Sequence, residues 1–312
     1  MPLHPAVATM LAQVKTSGRP ALSAGTPEAA RQMMAAMRAA YGMGSQQIRA
    51  TALEIPTREG SIPARLLTPE RPQGLVVYLH GGGWVIGGLD DFDAVPRTLA
   101  ARSGCAVLLV DYRLAPEAPF PAAIDDAEDA VLWAAANVGA LVGHTVPLVV
   151  AGDSAGGNLA AITATELRHR VTLALQVLIY PVTDGDFETL SYAAYSEVGL
   201  LTRQDMEWFF HLYAPHASRT EPRLYPAART DLAGSPPALV LTAEYDVLRD
   251  EGERYARQLQ QAGVATTLRR QDGLPHGFIR LHNLVDTADA ALSDIAAAIS
   301  RATALDSGSA KG

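Results

Sequence analysis

The sequence predicts an α/β fold in which helices flank a mostly parallel central sheet. Two observations support this prediction. From about residue 74, short apolar runs alternate with stretches of helical periodicity. The runs are almost continuously apolar, as expected for central strands that are buried on both faces of a sheet.

The predicted strands begin with a hairpin. Residues 48–56 and 62–67 flank the turn Arg58-Glu-Gly60 and predict two antiparallel strands. The more polar residues 266–270 predict a strand near an edge of the sheet. The central strands are predicted at residues 75–79, 106–110, 148–151, 173–179 and 238–242.

Helical periodicity predicts helices between these strands, over residues 123–136, 155–169, 202–212, 250–261 and 288–301. The first helix carries Asp125, Asp126, Glu128 and Asp129 largely away from its apolar face. We expect a solvated acidic face near the helix N-terminus, where the helix dipole favours negative charge. A metal site is the weaker interpretation, because no histidine joins the cluster and its spacing matches no calcium loop.

Two stretches interrupt the alternation. Residues 1–45 are rich in Ala and Met, and residues 184–225 are rich in Tyr, Phe and Trp. They are either extra helices packed into the core or a cap over a pocket, with adaptable Met and aromatic side chains facing an apolar ligand. Residues 305–312 are predicted to be a flexible tail.

Composition excludes several classes of protein. The 312 residues include 25 Lys and Arg against 33 Asp and Glu, a formal charge of −8, so we expect no nucleic-acid partner and no anionic membrane partner. The single cysteine, Cys105, lies in an apolar run and is expected to be buried and inert. With no secretory signal and no apolar run long enough to span a bilayer, we expect a cytoplasmic protein without a membrane anchor.

The strongest chemical signal is Gly152-Asp-Ser-Ala-Gly156, which directly follows a predicted strand and precedes a predicted helix. In this setting Gly-x-Ser-x-Gly is typical of a sharp turn that strains the serine backbone and lifts its hydroxyl clear of the sheet. A Gly-rich loop with a capping serine is the alternative.

A second motif, His80-Gly-Gly-Gly-Trp84, follows the strand 75–79. Its glycines can turn backbone N–H groups into a cleft, where they would bind a developing oxyanion. A phosphate-binding loop is disfavoured because no Gly-x-x-x-x-Gly-Lys-Ser/Thr is present and Ile86 occupies the last position of Gly-x-Gly-x-x-Gly. We expect His80 to orient the loop rather than to act as a base.

A serine nucleophile needs a base that a carboxylate orients. Asp246 follows the strand 238–242, and His276 follows the last predicted strand, so the chain order is Ser154, Asp246, His276. Position in the chain alone does not exclude Glu244 as the carboxylate that orients the base. Asp250 fits better as the N-cap of the next helix.

Taken together, five motifs resemble the hormone-sensitive lipase family of α/β-hydrolases, and more narrowly its bacterial family IV carboxylesterases. The likeness covers roughly residues 40–300, and Val247 departs from it where many relatives have proline. The motifs are His80-Gly-Gly-Gly-Trp84, Asp111-Tyr-Arg-Leu-Ala-Pro-Glu117, Gly152-Asp-Ser-Ala-Gly-Gly157, Asp246-x-Leu-Arg-Asp-Glu-Gly252 and His276-Gly-Phe278.

The resemblance implies an α/β-hydrolase fold and a Ser154 nucleophile, with His276 as general base and then acid and Asp246 as its partner. It implies an oxyanion hole formed by the N–H groups of Gly82, Gly83 and Ala155. It also implies a helical cap, made of residues 1–45 and 184–225, over a catalytic domain of residues 46–183 and 226–304. The residues expected to bind substrate are Trp84, Met37, Tyr41, Trp208 and Phe209.

The activity implied by the resemblance is hydrolysis of short- to medium-chain carboxylic esters, without metal or cofactor, by a chain that could form a homodimer. Two alternatives remain open. One is a small-molecule receptor on the same scaffold. The other is an amidase or lactonase with the same triad, since the pocket for the leaving group decides between such substrates.

Overall fold

The computed structural model describes residues 2–18, 21–196, 200–218 and 220–304, so the predicted flexible tail lies outside the described residues. The strands form one eight-stranded sheet in the order β1-β2-β4-β3-β5-β6-β7-β8. They are β1 (Arg49–Thr57), β2 (Gly60–Thr68), β3 (Leu75–Leu79), β4 (Ala106–Val110), β5 (Leu148–Asp153), β6 (Leu173–Ile179), β7 (Ala238–Tyr245) and β8 (Thr266–Pro275).

The sheet is antiparallel at one side and parallel elsewhere. Strand β1 pairs antiparallel with β2, which pairs antiparallel with β4, and all pairs from β3 to β8 are parallel. The predicted hairpin and mostly parallel sheet are therefore confirmed. Every residue of β3, β4 and β5 is buried, which explains why these strands read as continuous apolar runs.

Helices cover both faces of this sheet. One face packs against α6, α7 and α10, and the other packs against α5 and α11. The helices in the described residues are α1 (Pro5–Thr16), α2 (Pro27–Ala36), α3 (Arg38–Tyr41), α4 (Leu89–Phe92), α5 (Ala94–Ser103), α6 (Ala122–Val142), α7 (Ala155–Glu166), α8 (Leu190–Tyr195), α9 (Arg203–Tyr213), α10 (Arg249–Gln261) and α11 (Asp286–Thr303).

The sequence pattern does not predict helix α5. Its ten residues include Pro96 in the first turn and the buried polar side chains of Thr98 and Ser103, which weaken the apolar periodicity. Those hydroxyls donate to the backbone carbonyls of Ala94 and Leu99 one turn earlier, so burial leaves them hydrogen-bonded.

The expectation of a solvated acidic face on α6 is wrong. Asp126 is fully buried and receives two hydrogen bonds from the guanidinium of Arg113, at 2.8 and 2.9 Å. Asp129 is bound in the same way by Arg58, which comes from the β1–β2 turn. These arginines lie far from α6 in the sequence, and their ion pairs fasten the helix to the edge of the sheet.

The two stretches outside the alternation form α1–α3 and α8–α9, and each supplies both core and cavity-lining side chains. Cys105 is buried as expected, and burial raises the pKa of its thiol. In the part of the chain that the structure describes, no helix has the length and apolar character needed to cross a bilayer.

Candidate active site

Ser154 stands at the sharp turn between β5 and α7. Its backbone has φ +54° and ψ −118°, a strained conformation for a residue with a Cβ. A Cβ on Gly156 would lie 1.9 Å from the carbonyl oxygen of Leu79, and one on Gly152 would lie 2.2 Å from that of Gly156. Only glycine fits at either position, which is the physical reason for the Gly-x-Ser-x-Gly spacing.

A chain of hydrogen bonds joins three side chains at this turn. Ser154 Oγ is 3.0 Å from His276 Nε2, and His276 Nδ1 is 2.8 Å from Asp246 Oδ2. The other oxygen of Asp246 accepts from the backbone N–H of Leu248 at 3.0 Å. Asp246 is 2% exposed. With Nδ1–H donating to the carboxylate, Nε2 is left to accept the serine proton.

The geometry distinguishes Asp246 from the two other nearby carboxylates. Glu244 accepts from the backbone N–H of Gly273 at 2.7 Å. Asp250 accepts from the N–H of Ser191 at 2.8 Å. The expectation that Asp250 is an N-cap is wrong, because α10 begins at Arg249 and its N-cap is Leu248. Asp250 lies in the first turn, where the helix dipole still favours its charge.

The loop after β3 brings Gly82 and Gly83 into the same cavity wall as Ser154 and His276. Both glycines have positive φ angles, +113° and +58°, which L side chains rarely adopt. Ala155 is the first residue of α7, so its N–H is one of the four that have no partner within the helix. This N-terminus also directs the positive end of the helix dipole toward the turn at Ser154.

Buried polar contacts hold this loop in place. Asp153 Oδ1 accepts from the N–H of Gly81 at 3.1 Å and from the hydroxyl of Tyr78 at 2.9 Å. Sequence reasoning missed this role of Asp153 and Tyr78, although Asp153 lies inside the serine motif. The contact ties the residue before the serine to the glycine loop.

His80 is structural, as expected. Its side chain is fully buried and stacks between Phe92 and Tyr112, with ring centroids 4.9 and 4.4 Å away. Its Nδ1 lies 2.7 Å from the carbonyl oxygen of Gly81. Burial lowers the pKa of His80 to about 4, so it carries no charge at neutral pH.

A cavity of about 780 Å³ opens above the serine. Its walls come from the loops at the carboxyl ends of the strands and from described residues of both stretches that interrupt the alternation, and most of them are apolar. Five methionines line it, an adaptable surface for an apolar ligand. They are Met10, Met33, Met34, Met37 and Met206.

The five predicted substrate-binding residues fall into two groups. Met37, Tyr41 and Phe209 line the cavity. Trp84 and Trp208 do not belong to its lining, which corrects their assignment as substrate-binding residues. Trp84 is fully buried and stacks on Tyr213 with centroids 4.5 Å apart, and Trp208 packs against Phe209 at 5.1 Å.

Sequence reasoning missed two cavity residues on α9, Asp205 and the apolar Met206. Met206 is the one that helical spacing indicates. It lies three residues before Phe209, so both occupy one face of the helix, whereas Trp208 is rotated away from that face. Helical spacing was therefore the available signal. Arg280, also absent from the predicted site, lines the cavity as well. Within the described ranges, no group of His, Cys, Asp and Glu could hold a metal ion.

The chain is similar to proteins with an α/β-hydrolase fold that are named as ester hydrolases. A family model described as alpha/beta hydrolase fold matches residues 76–280. The ethyl acetate hydrolase of Pseudomonas putida is 39% identical over 308 residues, which cover 94% of this chain and 96% of that protein. The carboxylic ester hydrolase LipN of Mycobacterium tuberculosis is 41% identical over 266 residues, covering 80% and 69%.

Solved structures agree in three dimensions as well. A thermostable esterase from Pseudomonas putida superposes with a TM-score of 0.94 at 32% identity, over 98% of this chain and 99% of that one. An esterase from Pyrobaculum calidifontis gives a TM-score of 0.87 at 38% identity, over 96% and 99%.

Proposed function

Because the chain belongs to the hormone-sensitive lipase family of α/β-hydrolases and is a carboxylic ester hydrolase, we propose that it cleaves short- to medium-chain esters through an acyl-enzyme on Ser154. The observation that carries this proposal is the hydrogen-bonded series Ser154–His276–Asp246 at the base of an apolar cavity.

In the first half of the reaction, Ser154 Oγ attacks the ester carbonyl carbon while His276 Nε2 takes the serine proton. The carbonyl oxygen becomes an oxyanion, which the N–H groups of Gly82, Gly83 and Ala155 stabilise. As this intermediate collapses, the bond to the alcohol oxygen breaks, and His276 gives its proton to the departing alcohol. The product is an ester between the acyl group and Ser154.

In the second half, a water molecule gives a proton to His276 and attacks the acyl carbon. A second oxyanion collapses, the bond to Ser154 Oγ breaks, and the proton returns to the serine. The free acid leaves. Asp246 stays ionised throughout, holds the imidazole in the required tautomer and stabilises its transient positive charge.

The chain-length preference rests on the cavity and on the relatives. Met37, Tyr41 and Phe209 present apolar surface above the serine, which suits an acyl chain without a charge near the scissile bond. A relative that is 39% identical is named for hydrolysis of ethyl acetate, a short ester. We assign residues 1–45 and 184–225 as the cap that closes this cavity, since both contribute to its walls.

The first experiment is hydrolysis of p-nitrophenyl esters from acetate to palmitate by the wild type and Ser154→Ala. We expect a maximum at short or medium chains and a loss of about 10³-fold or more in kcat for Ser154→Ala. Ser61→Ala is the control, because the Ser61 side chain is exposed, donates to Glu54 and lies outside the cavity lining. A Ser154→Ala protein that keeps its activity would refute the assignment.

The receptor alternative predicts the opposite result, binding without turnover by a folded wild type. All three triad members are present and in contact, so we favour the enzyme. A cytoplasmic location and a homodimer remain proposals from the sequence. Light scattering coupled to gel filtration tests the second.

A further inference from the structure

Arg280 places a cation in the wall of the active-site cavity. It lies four residues after His276, in the short helix Phe278–Leu281. Its guanidinium carbon is 4.1 Å from the ring centroid of Tyr41 and 4.5 Å from that of Phe92. The side chain thus lies between a cap helix, α3, and a helix of the catalytic domain, α4.

The contacts of this guanidinium use only part of its donor capacity. Nη1 lies 2.8 Å from the sulfur of Met34, and Nη2 donates to the backbone carbonyl of Asp91 at 3.1 Å. An arginine has five N–H donors. Among the residues that the structure describes, no carboxylate lies within 4.0 Å of the Arg280 nitrogens.

A neighbouring arginine, Arg38, differs from Arg280 because it does have a carboxylate partner. Arg38, from the same cap segment, is not part of the cavity wall, and its Nε donates to the carboxylate of Asp91 at 2.6 Å. That contact engages the carboxylate of Asp91, the residue whose backbone carbonyl accepts from Arg280. A half-buried cation beside an apolar cavity, with no carboxylate partner of its own, is an environment that favours an anionic ligand.

The acidic groups of the cavity wall are engaged elsewhere. Asp205 accepts from Thr202 and from the backbone N–H of Ser23, and Asp153 accepts from Tyr78 and Gly81. Burial raises the pKa of Asp153, and the positive charge of Arg280 opposes that rise, so the field of Arg280 reaches the residue next to the nucleophile.

We propose that Arg280 is a specificity-determining residue that binds a carboxylate carried by the substrate at a distance from its scissile ester bond. The inference rests on the proposed esterase function. The ring contacts with Tyr41 and Phe92 hold the guanidinium plane, so its fork is oriented before the substrate arrives. The preferred substrates are then monoesters of dicarboxylic acids, or esters of alcohols that carry a carboxylate, with an apolar spacer along the methionine-lined wall.

Two matched substrate series test this and identify the side of the ester that carries the charge. On the acyl side, p-nitrophenyl monoesters of succinate, glutarate, adipate and suberate are compared with neutral p-nitrophenyl esters of equal chain length. On the alcohol side, 4-nitro-3-carboxyphenyl acetate is compared with p-nitrophenyl acetate. The readout is the ratio of kcat/KM for the charged ester to that for its neutral partner.

We expect the wild-type ratio to reach a maximum at one spacer length or on one side of the ester. Arg280→Met should lower that maximum by about 10- to 100-fold, because it removes a charge-assisted contact. Turnover of the neutral esters should change far less. Arg280→Lys should keep more of the ratio than Arg280→Gln, since it keeps the charge. Arg269→Gln, which removes an exposed cation that pairs with Asp294 outside the cavity wall, should leave the ratio unchanged.

Two results would overturn the proposal. One is an Arg280→Met protein whose ratios match the wild type on both sides of the ester. The other needs no variant: a wild type that discriminates against every charged ester by more than about 100-fold, as a cavity without an available cation would. Failure of the esterase assignment itself would appear separately, as neutral-ester turnover that does not depend on Ser154.

Discussion

The contact between Gly83 and Phe209 gives a sharp test of how helix α9 and the glycine loop depend on each other. Gly83 has φ +58°, and a Cβ added to it would lie 2.2 Å from two carbons of the Phe209 ring and 2.6 Å from a third. Phe209 is 3% exposed and lies on α9. Gly83→Ala therefore forces either the ring or the loop to move.

The cost of Gly83→Ala has two parts. A left-handed backbone costs an alanine about 1–2 kcal/mol. Moving a packed ring by about 1 Å adds about 1–3 kcal/mol of overpacking. We expect the free energy of unfolding to fall by about 2–5 kcal/mol. If the loop moves instead of the ring, the Gly83 N–H leaves the proposed oxyanion site, and we expect kcat to fall by about 10²- to 10³-fold.

The assay measures urea unfolding and p-nitrophenyl butyrate turnover for Gly83→Ala, Phe209→Ala and the double variant. Phe209→Ala alone should cost about 3–5 kcal/mol of stability. The double variant should be more stable than the sum of the two predicts, by about 1–3 kcal/mol, because the ring that clashes is gone.

Gly139→Ala is the matched control. Gly139 lies in α6, and a Cβ there meets nothing within 4 Å, so we expect a gain of about 0.5–1 kcal/mol. Two results would refute this explanation. One is a Gly83→Ala protein that is as stable as this control and hydrolyses p-nitrophenyl butyrate within threefold of the wild-type rate. The other is a double variant whose loss of unfolding free energy equals the sum of the losses of Gly83→Ala and Phe209→Ala.

Two further predictions concern charge. Asp246→Asn should lower kcat by about 10³- to 10⁴-fold with little loss of stability, because an amide can donate to Nδ1 and favour the wrong tautomer of His276; a loss below tenfold at pH 8 would contradict the assignment of Asp246. Burial raises the pKa of Asp111 to about 6, so the folded state binds more protons than the unfolded chain between about pH 4 and 6, and stability falls as pH rises through that window. Asp111→Asn should therefore stabilise the protein by about 1–2 kcal/mol at pH 8 and by little at pH 4; equal unfolding curves for both proteins at pH 8 would refute this.

Strand positions were predictable because they depend on local pattern. Strands β3, β4 and β6 begin and end where the apolar runs predict, since burial on both faces favours apolar side chains in them. The ends of β5, β7 and β8 were less predictable. Each extends beyond its predicted range, and β5 and β7 end on Asp153 and Tyr245, which do not continue the apolar runs from which the strands were predicted.

Some features of the candidate site could also be predicted from local sequence, and others could not. Residues close in sequence determine the turn at Ser154, because Gly152 and Gly156 must both lack a Cβ for the chain to turn there. Adjacent residues do not decide between Asp246 and Glu244, because position in the chain does not say which carboxylate reaches His276. Helical spacing would have found Met206, but no local pattern separates Trp84, which packs in the core, from a residue that faces substrate.

Short stretches of sequence determine the order of the strands, the strained serine turn and the glycine loop, because backbone sterics and apolar periodicity act over a few residues. Other features depend on the folded arrangement. Asp126 and Glu128 of α6 are buried because Arg113 and Arg58 arrive from other elements to pair with them. Arg280 faces the cavity between Tyr41 and Phe92, residues about 240 and 190 positions away from it, and only packing brings such side chains together.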